Sequence, residues 1–101
     1  MPNIDALLKR SPALKAHVLK ARKLAVKRQF EEARREYRAA VKQAEEEFSS
    51  TSADYGLILL ELADFYESCG RDVELAGIRC KLRIILKHYS ASFITEEDMA
   101  D

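Results

Sequence analysis

Two histidines, two cysteines and two runs of carboxylates are the residues of this 101-residue chain best suited to bond-making chemistry. His17 and His88 each lack a Cys, Ser, Asp or Glu at a spacing that forms a nucleophile–base pair or a metal site, so both read as surface histidines. Cys69 and Cys80 stand on what read as consecutive helices. Without an export signal and without neighbouring ligands they are expected to be two reduced, packed thiols. Glu45-Glu46-Glu47 reads as a solvated helix end, and Glu96-Glu97-Asp98 as a helix start whose negative charge suits the N-terminal dipole. No two carboxylates can be set across a pocket, and the three glycines are isolated, which removes phosphate-cradling loops. The expectation is a protein with no catalytic residue, no metal ligand and no cofactor.

Composition points the same way. Apolar residues make up 48% of the chain and charged ones 34%, which suits one soluble, folded, helical domain. The longest apolar run, Leu57-Ile58-Leu59-Leu60, is far too short for a membrane span. Residues 1–10 lack the apolar stretch and cleavage site of a secretory signal, so a cytoplasmic location is expected, and Met1 with the acidic end suggests a complete chain. The net charge is zero but lopsided: residues 1–48 carry twelve Lys/Arg against seven Asp/Glu, and residues 49–101 five against ten. Lys9, Arg10, Lys15, Lys20, Arg22, Lys23, Lys27 and Arg28 follow one another with no acid between them. That stretch reads as a solvated helix face, or as a face for an acidic partner. Nucleic acid is disfavoured, because this stretch carries no aromatic for base stacking and the whole chain is neutral.

The elements that would hold these residues are all helical. Ile4, Leu7 and Leu8 support a short helix within residues 2–10. Ser11-Pro12 restarts the chain with an N-cap and an N1 proline, opening a helix to about Lys27 with Leu14, Val18, Ala21, Leu24 and Ala25 on one face. Phe30, Ala33, Tyr37, Ala40, Ala44 and Phe48 define a second, started by Glu31 and Glu32. Tyr55, Leu59, Leu62, Ala63 and Tyr66 define a third over about 53–68, widened by Leu57, Leu60 and Phe65 and closed by Gly70. A fourth runs from about Val73 to Tyr89. The division expected is a cap over 1–11, a helical domain over 12–89 in two units (12–48 and 53–89), and an acidic tail over 90–101.

Projected at about 100° per residue, the fourth helix has two apolar faces. Leu75, Ile78, Leu82, Ile85, Leu86 and Tyr89 form one; Val73, Ala76, Cys80 and Ile84 form the other. The second face needs a cover: the tail through Phe93, Ile94 and Met99, a second copy of the chain, or a partner.

A spacing of about 43 residues relates Ala21, Leu24, Phe30, Ala33, Tyr37 and Ala40 to Leu62, Ala63, Tyr66, Gly70, Ala76 and Cys80. With this spacing the chain resembles tetratricopeptide repeats, in the long-period form of kinesin light chains, and more weakly the three-helix MIT domains. Residues 28–40 are similar to the second half of such a repeat and residues 62–71 to the first half. Four features depart from the pattern: Lys20 where Leu is usual, Arg28 in place of the turn glycine, one residue inserted before Ala76, and Cys80 in place of an aromatic. The resemblance implies an all-α stack of two helix hairpins that binds a peptide or helix of a partner protein without catalysis. It places the ligand groove on Lys15, Val18, Arg22 and Val26 of the first helix and Leu57, Leu60, Asp64 and Glu67 of the third, with Lys15 and Arg22 engaging a carboxylate. Two repeats are fewer than usually suffice for stability, so a self-associating subunit, joined through Val73, Ala76, Cys80 and Ile84, is the alternative. A weak nucleic-acid binder using residues 9–28 is a third reading.

Overall fold

Ser11 and Pro12 set the first turn of the molecule. The Ser11 hydroxyl accepts from the Leu14 N–H at 3.3 Å, while proline at the next position forgoes an N–H that the helix could not use. In the computed structural model, which describes residues 4–93, this start lies between α1 (Ile4–Arg10) and α2 (Pro12–Val26). There follow α3 (Phe30–Glu47), α4 (Ala53–Ser68) and α5 (Asp72–Phe93). The chain is all-α over the described residues. Ser52 caps α4 as Ser11 caps α2, accepting from Tyr55 N–H at 3.1 Å. The last helix outruns its expected end near Tyr89, because Ser90-Ala91-Ser92 contains no breaker; the rest of the tail, residues 94–101, lies outside the described residues.

The two hairpins close through the same turn. After α4, Gly70 takes φ 72°, its N–H reaches the Glu67 carbonyl, and Arg71 N–H reaches the Tyr66 carbonyl. After α2, Arg28 takes φ 61°, its N–H reaches the Ala25 carbonyl, and Gln29 N–H reaches the Leu24 carbonyl. Both are Schellman caps, which satisfy the last free carbonyls of a helix by a left-handed residue. Arg28 therefore holds a conformation suited to glycine. The two turns stand one residue closer together than the spacing by which the two halves of the sequence were aligned, in keeping with the extra residue before Ala76. Counting from them, Ala33 of α3 corresponds to buried Leu75, and Ala76 and Cys80, expected as repeat positions, are exposed.

Packing is sequential: α2 lies on α3, α3 on α4 and α4 on α5, while α1 packs against both α2 and α4. Small residues let α2 and α3 approach, with Ala21, Ala33, Ala40 and Ala44 fully buried. Phe65 of α4 sits among rings, 5.0 Å from Tyr37 and 6.3 Å from Phe30 of α3. The core face of α5 is Leu75, Ile78 and Ile85, with Leu82 packed at its edge. Leu86, expected with them, is 61% exposed. The cause is length. Ile85 already lies over Gly56, near the start of α4, so later residues of α5 have no α4 beside them. The second apolar face is exposed: Val73 is 88% and Ile84 62% accessible. Cys80 on that face is a free, exposed thiol rather than a packed one, whereas Cys69 is half-buried.

Arg28 makes no ion pair among the described residues, so its side chain contributes little against the backbone cost. A left-handed non-glycine residue costs about 1–2 kcal/mol, and glycine returns part of that through a freer unfolded chain. Arg28→Gly is expected to stabilise the protein by about 0.5–1 kcal/mol, raising the melting temperature by roughly 2–8 °C. Thermal denaturation followed by circular dichroism checks this; an unchanged or lower midpoint would contradict the turn geometry.

Candidate functional site

Where the ligand groove was expected, between α2 and α4, helix α1 lies against both helices. Arg10 of α1 pairs with Asp54 at 3.1 Å, near the start of α4, and the Asp5 charge acts on Arg22 one helix length away. Helix α1 thus runs along the first turns of α4, driving Leu7 and Leu8 into the junction. Val18 is fully buried there and belongs to the core rather than to a ligand face. Leu57 is half-buried against the core. Lys15, Val26, Leu60, Asp64 and Glu67 are exposed, with Val26 at 84% and Leu60 at 50%.

Arg22 is already engaged. Its guanidinium donates twice to Glu61 of α4, at 2.9 and 2.8 Å, and the Tyr37 hydroxyl of α3 donates to the same carboxylate at 2.9 Å. One carboxylate thereby holds three helices. The Arg22 hydrogen bonds keep Glu61 below its ordinary range against the opposing effect of burial; burial and the Glu61 charge push Tyr37 up. Other charges of the basic stretch are also paired: Lys20 meets Glu36 at 3.4 Å, and His17 Nδ1 lies 2.9 Å from the same residue. That His17–Glu36 pair bridges α2 and α3, beyond the reach of spacing along one helix. Glu47, read as part of a solvated end, accepts from the Ser11 hydroxyl at 2.6 Å, which brings its negative charge to the favourable N-terminus of α2.

An open cleft lies between α3 and α5. Arg34, Arg38, Val41, Lys42 and Glu45 of α3 face Glu74, Gly77, Ile78 and Lys81 of α5 across a cleft of about 410 Å³, with Leu62 and Tyr66 of α4 as its floor. A second hollow, lined by Glu45, Ser50, Thr51, Tyr55, Lys81 and Ile84, adjoins it, with Glu45 and Lys81 lining both. Its far end is closed by an ionic ring. Arg34 meets Glu74 at 3.0 Å and Glu31 at 3.4 Å, and Arg71 meets Glu74 at 3.2 Å and also pairs with Glu31. Despite burial, the two arginines hold Glu74 below its ordinary value.

Inside that ring the balance changes. Arg38, Lys42 and Lys81 make no ion pair or hydrogen bond to other described residues, and only Glu45 offsets them on the cleft walls. Three free cations around an apolar floor can hold an acidic, amphipathic segment. The sequence contained a signal for two of them: neither Arg38 nor Lys81 has a carboxylate three or four positions away to pair with along its helix. Which helices would face each other was not legible. Among the described residues no group of three His, Cys, Asp or Glu could hold a metal, and no helix is long and apolar enough to cross a membrane.

Comparison with family models, with curated proteins and with solved structures gives no match to this chain.

Glu61 and Glu36 are both carboxyls held below the ordinary value of 4.5. Such groups give stability that is present above that value and lost as pH falls through their folded-state values. Glu61→Gln keeps the shape but removes the charge that Arg22 needs. It is expected to cost about 1–2 kcal/mol at neutral pH, the range for a charge-assisted bond at a partly exposed site. It should also flatten the loss of stability below pH 4.5. Urea denaturation at pH 7 and pH 3.5 tests both; equal losses at the two pH values would mean that Glu61 acts through packing alone.

Proposed function

We propose that this protein is a non-catalytic interaction module of the helical-repeat kind, which binds an acidic amphipathic helix of a partner protein in the α3–α5 cleft. The observation that carries the reading is the set of three unpaired cations, Arg38, Lys42 and Lys81, around an apolar floor. Two features support it. The cleft wall spans Arg34 to Glu45, about three helical turns at 1.5 Å per residue, which matches the length over which an i, i+4, i+7 face makes contact. Gly77 stands in the α5 wall with open space where a side chain would be, so a ligand can approach the helix backbone. The order of the hairpins, α2 with α3 and α4 with α5, and their shared turn support the tetratricopeptide-like reading of the scaffold. The part-filled α2–α4 groove, with Val26 and Leu60 open, is the poorer site: its best cation, Arg22, is bound internally.

A synthetic helical peptide with a leucine seam flanked by glutamates, compared with its lysine-flanked twin, tests the reading by fluorescence anisotropy. The acidic peptide is expected to bind at least tenfold more tightly, and Arg38→Glu with Lys42→Glu to reverse the preference. Gly77→Leu separates blockage from unfolding, since leucine favours a helix by close to 1 kcal/mol over glycine. That variant should melt no lower than the parent and should lose the peptide. Indifference to peptide charge, or full binding by Gly77→Leu, would remove the cleft from consideration.

A further inference from the structure

Helix α5 is the last of the stack and packs on α4. On its outer face Val73, Ala76, Cys80 and Ile84 form an apolar stripe, all exposed. The end helix of such a stack keeps its outer side polar when water is its only neighbour. Charges border the stripe along one flank. Asp72 stands at its start, and Arg79, Arg83 and Lys87 follow, all exposed and without an ion pair among the described residues. That flank is acidic at one end and basic at the other.

This polarity fits the same helix turned end for end. Asp72 and Arg83 are eleven residues apart, and so are Val73 and Ile84. Eleven residues make three helical turns to within about 20°, so both members of each pair lie on one side of α5. Lay α5 antiparallel on a second α5, with the two-fold axis near Ile78. Val73 then falls on Ile84 of the second copy and Asp72 beside its Arg83, each pair matched to about 1.5 Å along the axis. Symmetry makes each contact twice. At the centre Ala76 meets Cys80 of the second copy, and side chains that small let the two helices come close. The Arg79 side chains, about 100° round from Cys80, stand at the rim and can turn to water.

A parallel pairing fails the same test. It would set opposite flanks together, Asp72 against Glu74 and the Arg79–Arg83 ridge against Lys81. Like charges so placed oppose association.

We infer that a second copy of this chain covers the outer face of α5, antiparallel, through Val73 on Ile84, Ala76 on Cys80 and Asp72 with Arg83. The contact is two-fold and self-complementary, so it closes at a dimer. It does not rest on the cleft: Asp72, Val73, Ala76 and Arg83 line neither of the hollows there.

Sedimentation equilibrium of the full chain over a wide concentration range tests this. The parent is expected to be a dimer in exchange with monomer. Asp72→Arg and Arg83→Asp, made singly, should each weaken the dimer at least tenfold; made together, they should bring it back to within threefold of the parent. That recovery separates the contact from damage to the fold, which a second substitution would compound. Val73→Glu should give a monomer with the helical circular dichroism of the parent. With Cys69→Ser to remove the other native thiol, Ala76→Cys should join two chains through Cys80 in a glutathione redox buffer, read on non-reducing gels. A parent that stays monomeric, a dimer indifferent to these charges and to Val73→Glu, a double variant no tighter than the single ones, or a disulfide found only within one chain would each overturn the proposal.

Discussion

Helix α4 must be buried on nearly every side, and the other helices are arranged to bury it. Tyr55, Ile58, Leu59, Leu62, Ala63, Phe65 and Tyr66 are withdrawn from water, leaving only the strip of Leu60, Asp64, Glu67 and Ser68 exposed. Each large side chain of that set contributes roughly 1.5–3 kcal/mol when buried. No single neighbour can cover so wide an apolar band. Helix α3 brings rings to Phe65, α5 brings Leu75, Ile78 and Ile85, and α1 closes the remaining side with Leu7 and Leu8. Two helical hairpins alone would leave that side wet. The short N-terminal helix thus closes the apolar side that the four longer helices leave open.

Charges then latch the helices that apolar packing has brought together. Glu61 is one of two half-buried carboxylates of α4, with Asp54, and it receives Arg22 from α2 and Tyr37 from α3. Apolar contact tolerates sliding along a helix, but a bidentate guanidinium–carboxylate pair with a third donor does not. The ring of Glu31, Arg34, Arg71 and Glu74 acts similarly at the junction of α3 and α5, and Arg10 with Asp54 ties α1 to α4. These pairs join elements distant in sequence, which is why a chain so polarised along its length folds into a structure with its helix junctions neutralised.

The helices were legible because their signals are local. Ser11-Pro12, Ser52 and Gly70 fall where the caps are, and the spacing of Phe30, Ala33, Tyr37, Ala40 and Ala44 belongs to one face of one helix. The left-handed Arg28 was visible only as a missing glycine. What the sequence concealed is relational. Helix α1 lies where a groove was expected, and Val18 faces inward, because the length of α4 left unburied by the hairpins must be covered by something. The two hairpin turns stand one residue closer than the spacing used to align the two halves, and an error of one residue rotates a helix face by about 100°. That alignment misplaced Ala76 and Cys80, whereas the projection of α5 by itself puts Leu75 and Ile78 on one face and Ala76 and Cys80 on the other, as their burial has it. Pairs such as His17–Glu36 and Ser11–Glu47 belong to the same class: no spacing rule along one helix contains them.

The fold consumes its cations selectively. Arg10, Lys20, Arg22, Arg34 and Arg71 are paired across helix junctions. Among the described residues Arg38, Lys42, Lys81, Arg79, Arg83 and Lys87 are not, and these six stand on α5 or across the cleft from it; Lys9, Lys15, Lys23, Lys27, Arg28 and Arg35 are unpaired too, but scattered over α1 to α3 and the turn after α2. An unpaired lysine or arginine at a surface costs little by itself, but several on one helix raise the local potential by repulsion that nothing in the fold relieves. Such a cluster also sits beside apolar side chains that the fold leaves wet, Val73 and Ile84 above all. Stability would be served as well or better by a polar outer face with mixed charge. In the proposed reading these residues serve association rather than folding, and the absence of any carboxylate between Leu75 and Phe93 favours an acidic partner.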